Sequence, residues 1–169
     1  SGLLLVMFIF YSIYNSKTNR LIGKNSDSFY VIDPAPKVEA INQMVAFIKS
    51  SIPPQDSLVV LPEGPMFNYL TRHPSSIPLI SFTPGEIAVY GETGILKLLK
   101  KQPPDFILLV HRLELEYGKG FFGSDPTNGK QIMDWVKENY RPILLLGAEP
   151  LKDNNFGIKL LRLNPDSRK

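Results

Sequence analysis

The chain has 169 residues, 43% hydrophobic and 21% charged, the balance of one globular domain with a sizeable core rather than of a disordered segment. Its net charge of +3 comes from scattered Lys and Arg, dense only at Lys100-Lys101 and Arg168-Lys169, so there is no basic stripe of the kind that binds nucleic acid. The absence of cysteine excludes a disulfide frame, a thiolate zinc site and a thiol nucleophile, and two histidines, His73 and His111, are too few for a His-rich metal site.

The most apolar stretch comes first. LLLVMFIFYSIY, Leu3 to Tyr14, is twelve residues long, short of the roughly 20 a spanning helix needs. It reads as the end of a transmembrane helix or as a buried element of the domain. A signal-peptide core fits less well, because no basic residue precedes the run and no clean small-residue cleavage site follows. Lys17, Arg20 and Lys24 come next, and positive charge normally marks the cytoplasmic side.

FYVID, Phe29 to Asp33, has strand composition and is stopped by Pro34 and Pro36. Lys37 to Ser50 predicts an amphipathic helix, with Val38, Ile41, Met44, Val45 and Ile48 at helical spacing. LVVL, Leu58 to Leu61, is the continuous apolar run of a strand buried on both faces. PMFNYLTR predicts a short helix with Pro65 in its first turn. Pro78 to Phe82 reads as the next strand. One or two helical pieces follow, burying Ile95, Leu96, Leu98 and Leu99. FILLV, Phe106 to Val110, is the strongest strand signal. Beyond a long polar loop, Gly129 to Tyr140 predicts a helix that buries Ile132, Met133, Trp135, Val136 and Tyr140. Pro142 to Gly147 and Gly157 to Leu163 predict two strands pairing as an antiparallel hairpin.

Strands alternating with helices point to an α/β fold: a three-layer, mostly parallel Rossmann-like sheet with helices on both faces and an antiparallel C-terminal edge strand. The domain plan is an apolar stub at 1–14, a linker with one strand at 15–36, the α/β domain at 37–163 and a loose tail at 164–169. Right-handed crossovers favour the strand order 79–82, 58–61, 106–110, 143–147.

Phosphate-loop and dinucleotide-loop motifs are absent. LPEGP places Glu63 at a strand end, where α/β sheets hold ligands; the same carboxylate would also favour the start of the next helix by charge. Arg72 and His73 lie at a helix end, where cations are stabilised anyway. His111 and Arg112 end the strongest strand. The loop from Arg112 to Asn128 is about 17 residues, longer than most connections. It carries Tyr117 and Asp125, the latter inside an SDPT helix-start signal. The candidate binding crevice is therefore Glu63, Arg72, His111, Arg112, Tyr117 and Asp125, with Glu63 and His111-Arg112 on opposite lips and an ion pair between Glu63 and Arg112 as one outcome. The pattern names no catalytic residue, no metal ligand and no cofactor.

From about Val45 to Leu163 the chain resembles the soluble C-terminal domain of bacterial membrane glycosyltransferases of the family-39, dolichyl-phosphate-mannose protein mannosyltransferase-like group. LVVLPEG, NYLTRHPSS, FTPGE, PPDFILLVHR, EYG, FFGSD, IMDWVKENY and PILLLG carry the resemblance. It implies sugar transfer from a polyprenyl-phosphate donor, outside the cytoplasm, by acidic residues in loops between membrane helices that precede this domain. It therefore implies an accessory domain, on the periplasmic or extracellular side of the cell membrane, that is not catalytic alone. The implied partners are the transmembrane portion of the same protein and a glycan, lipid-linked sugar or protein acceptor. Self-association through Leu3 to Tyr14 is a further expectation. The rival reading is a stand-alone α/β enzyme on a small or sugar-like substrate, using Glu63, His111 and Asp125.

Overall fold

A computed structural model describes Gly2, Leu4 to Met7, Ile9 and residues 20–168. A hairpin comes first: β1 (Arg20–Ile22) pairs antiparallel with β2 (Phe29–Val31). Then follow α1 (Ala35–Ser51), β3 (Leu58–Leu61), α2 (Pro65–Thr71), α3 (Pro84–Tyr90), α4 (Glu92–Lys101), β4 (Phe106–Val110), α5 (Lys130–Asn139), β5 (Tyr140–Gly147) and β6 (Gly157–Leu163). The fold is mixed α/β, built on a four-stranded mixed sheet in the order β3-β4-β6-β5.

That order corrects the expected sheet in three respects. Only β3 and β4 are parallel neighbours, with Leu61 opposite Leu109; β6 runs antiparallel to both β4 and β5. Pro78 to Phe82 forms no strand, and Ser81 makes a single bridge to Glu63. The strand expected at the C-terminal edge is interior, and β5 takes the edge. Pro142 explains the exchange. It has no N–H to give a second neighbour, so it is tolerated on an edge strand, and the β5–β6 register slips between Pro142 and Leu144. Ile143 and Leu145 are accordingly exposed, whereas β6 is buried at five of its seven positions.

Strand alternation sorts the core into two clusters. Val59, Leu61, Ile107, Leu109, Leu161 and Leu163 face the helices α3, α4 and α5. Leu58, Val60, Leu108, Val110, Ile158 and Leu160 face α1 and α2. The long helix α1 belongs to the second cluster because Val38, Ile41, Met44, Val45 and Ile48 fall on one side of it. It stops where Pro53-Pro54 forbids a further turn. A capping box, Thr83 with Glu86, starts α3. At the far end of the sheet, Ser57 N and Oγ each donate to Asp105 Oδ2 at 2.8 Å, tying the starts of β3 and β4 together.

Residues 15–36 were expected to hold one strand; their described part holds both strands of the hairpin. The tail closes in a 3₁₀ turn over Pro165–Arg168. Of the Leu3 to Tyr14 run, Leu4 to Met7 and Ile9 are helical and exposed; the rest lies outside the described residues. No described helix is long and apolar enough to cross a membrane.

Candidate functional site

The parallel β3–β4 pair delivers two chain ends side by side. After Leu61 comes the cis Leu61–Pro62 bond and then Glu63. Phe82 N donates to Pro62 O at 2.7 Å, holding this turn against the segment before α3. Gly64 then turns the chain into α2; a side chain here would meet Val60 Cγ1 at 2.9 Å. Pro65 begins the helix with its fixed φ. After Val110, His111 N donates to Gly157 O at 3.0 Å and Arg112 reaches across to the other chain end. Arg112 Nη1 and Glu63 Oε2 are 2.9 Å apart, and Arg112 also pairs with Glu116. Both partners of the first pair remain about a third exposed.

This pair lies on a crevice of about 800 Å³ at the carboxyl ends of β3 and β4. The opposite wall is made by the end of β2 and the first turn of α1. There Lys37 Nζ binds Asp33 Oδ1 at 2.9 Å and lies 5.2 Å from the centre of the Phe156 ring. Two acids and two bases thus face one cavity and cancel. The floor is apolar, from Ile22, Val31, Ile41, Phe67 and Val110.

His111 lines the same crevice. Its ring is 5.4 Å from Phe121 and 6.3 Å from Phe156. Leu151 N–H donates to Nδ1 over a long 3.4 Å, which leaves the proton on Nε2. Burial pushes the imidazole below its usual range, opposed by Asp153 and aided by Lys37, so the ring is neutral at neutral pH. A neutral His, two ion pairs and an aromatic ring offer hydrogen-bond donors and acceptors with no net charge.

Arg112 opens a loop whose far end is pinned. Leu113 bridges Phe121. Glu114 is fully buried and its Oε2 accepts from Asn128 Nδ2 at 2.7 Å. Its Oε1 and Asn128 Oδ1 are buried without a hydrogen-bond partner. Burial raises the Glu114 carboxyl above the usual carboxylate range, against the opposing pull of Asn128 and Arg112.

The other candidates are elsewhere. Arg72, in left-handed conformation, grips Asp27 with both carboxylate oxygens at 2.9 Å and covers the Tyr69 ring at 4.5 Å, stapling the hairpin to α2. Tyr117 sits half-exposed in a 3₁₀ turn. Asp125 Oδ1 accepts from Thr127 N and Oγ, both at 2.7 Å, which lowers its pKa and closes a turn. Neither lines the crevice. Asp33, Lys37 and Phe156 line it and were not singled out in the sequence. Asp33 and Lys37 are four apart across a helix start, a spacing that does place opposite charges together; Phe156 carries no local signal. Among the described residues no cluster of three or more His, Asp or Glu could hold a metal ion.

No protein-family model, curated protein or solved structure matches this chain.

Proposed function

We propose that this domain is the extracytoplasmic accessory part of a polytopic membrane glycosyltransferase that uses a polyprenyl-phosphate sugar donor. Its task is to hold the acceptor glycan and cover the membrane active site, without catalysis of its own. The observation that carries the proposal is the charge-balanced crevice at the β3–β4 carboxyl ends, with Glu63, Arg112, Asp33, Lys37 and the Phe156 ring around an apolar floor. Neutral, hydroxyl-rich ligands suit such a site: planar polar side chains satisfy hydroxyl groups and an aromatic face takes the apolar side of a sugar ring. The exposed apolar residues at Leu4 to Met7 and Ile9 support membrane attachment. The parallel pair with its crevice supports reading the whole as a three-layer relative of the Rossmann plan, with β6 as an antiparallel insertion.

A stand-alone enzyme using Glu63, His111 and Asp125 draws less support, because Asp125 is engaged in its own turn and Glu63 is held by Arg112. Titration of the isotope-labelled chain with neutral oligosaccharides, followed by amide NMR, tests the proposal. Shifts concentrated at Lys37, Glu63, His111 and Arg112 are expected, with no turnover of polyprenyl-phosphate sugars. Turnover by the purified chain that disappears in Glu63→Gln would establish the stand-alone enzyme instead.

A further inference from the structure

The β1–β2 hairpin is apolar on both faces. Its inner face, Ile22 and Val31, packs in the core with α1 and forms part of the crevice wall. On the outer face Leu21 lies opposite Tyr30, and Ile32 follows two residues later. These three are 42%, 71% and 71% exposed. A two-stranded sheet with one free face in water normally presents polar residues there.

Charge on the hairpin is one-sided as well. Its acids are already neutralised by the domain: Asp27 by Arg72 at 2.9 Å and Asp33 by Lys37 at 2.9 Å. Lys24 is exposed and has no ion pair among the described residues. Arg20, opposite Val31 on the inner face, gives its Nε to the Asp33 backbone carbonyl and makes no ion pair among the described residues. An exposed Lys beside exposed Tyr and Ile suits a segment resting in an anionic headgroup layer.

Chain length fixes the reach. From Tyr14 to Arg20 there are six residue steps, at most about 22 Å of extended chain. A run at Leu3 to Tyr14 embedded in a bilayer therefore holds β1 within that distance of the interface.

We propose that the outer face of the β1–β2 hairpin, Leu21, Tyr30 and Ile32, lies on the surface of an anionic phospholipid bilayer, with exposed Lys24 at the turn beside it. The proposal rests on the membrane attachment of Leu3 to Tyr14 read above. The inner face of the same hairpin, Ile22 and Val31, lines the crevice.

The absence of cysteine makes the test direct. Single Tyr30→Cys, Ile32→Cys and Glu138→Cys variants of the full chain are labelled with an environment-sensitive nitrobenzoxadiazole probe. Each is mixed with phosphatidylcholine vesicles, with or without a quarter of phosphatidylglycerol, and bound protein is confirmed by flotation. The expected result is a blue shift and brighter emission at positions 30 and 32 with the anionic vesicles, quenched by headgroup-region nitroxide lipids, and no change at exposed position 138. Protein that floats with unchanged probes at 30 and 32 overturns the hairpin contact and leaves the attachment of Leu3 to Tyr14 standing. Protein that does not float overturns both. A probe at 32 already blue-shifted without vesicles, and unmoved by them, shows that protein covers this face and also overturns the proposal.

Discussion

Substituting Gly129 tests how the long loop is anchored. Gly129 immediately precedes α5, with φ of 75°. A methyl group there would lie 2.2 Å from Phe122 Cε2, 2.4 Å from Cζ and 2.6 Å from Cδ2. Phe122 is 2% exposed and fully packed in the core, so its ring has nowhere to retreat. Two costs add in Gly129→Ala. The left-handed backbone conformation costs about 1–2 kcal/mol for a residue with a Cβ, and forced overpacking costs about 1–3 kcal/mol. The sum, about 2–5 kcal/mol, corresponds to a fall in Tm of about 4–20 °C for a chain of this length. Urea unfolding followed at Trp135, the one tryptophan and a member of the same core cluster, measures it. A Phe122→Leu background separates the terms, because the clash needs the ring and the backbone cost does not. There Gly129→Ala should cost only the backbone part, about 1–2 kcal/mol. A cost below about 1 kcal/mol in the native background, or the same cost in both, would refute the steric argument.

Glu114→Gln removes a buried carboxyl whose pKa is raised by burial. The native state keeps that proton to higher pH than the unfolded chain. Its stabilisation is thus full below the unfolded carboxyl range and is lost as pH rises through the raised native value. The variant should be more stable than the native protein at neutral pH and flatter in its urea midpoints from about pH 4 to 8; parallel profiles would contradict this. Asp105→Ala deletes the acceptor of both Ser57 donors and leaves Ser57 N unpaired, at about 1.5–3 kcal/mol in urea unfolding. Glu63→Gln breaks a pair about a third exposed on each side, so stability should move by no more than about 1 kcal/mol. Calorimetric oligosaccharide affinity should nevertheless fall, and an unchanged affinity would remove Glu63 from the site.

Local pattern carried the elements further than it carried their arrangement. LVVL and FILLV read as doubly buried strands, and every residue of β3 and β4 is buried. The helix over Lys37 to Ser50 is present as α1, extended at its start to Ala35-Pro36. Strand order was misjudged because the sheet was taken as mostly parallel, so crossover handedness placed 143–147 beside 106–110 and left β6 at the edge as the hairpin partner of β5, whereas β6 lies between β4 and β5. Pro142 pointed the other way. β1 escaped notice because three residues, RLI, give no periodicity to read. In the crevice, Glu63 and Arg112 could be placed as strand-end residues once β3 and β4 were taken as parallel neighbours. Lys37 and Phe156 reach the cavity from α1 and from the approach to β6, and only tertiary packing brings them there.

The position of β6 also sets when the fold can exist. β6 is synthesised after every other strand of its sheet, yet it occupies an interior position, with Phe106 paired to Arg162 and Tyr140 to Leu163. Until those residues leave the ribosome, β4 has one partner and β5 has none. The open edge of β4 waits meanwhile for partners 48 to 56 residues further along the chain. Such distant pairing is slow to form and leaves strand edges open while it is pending. A nascent chain ending at Gly147 therefore exposes the edges of β4 and β5 together, and assembly of this sheet is closed by its last strand.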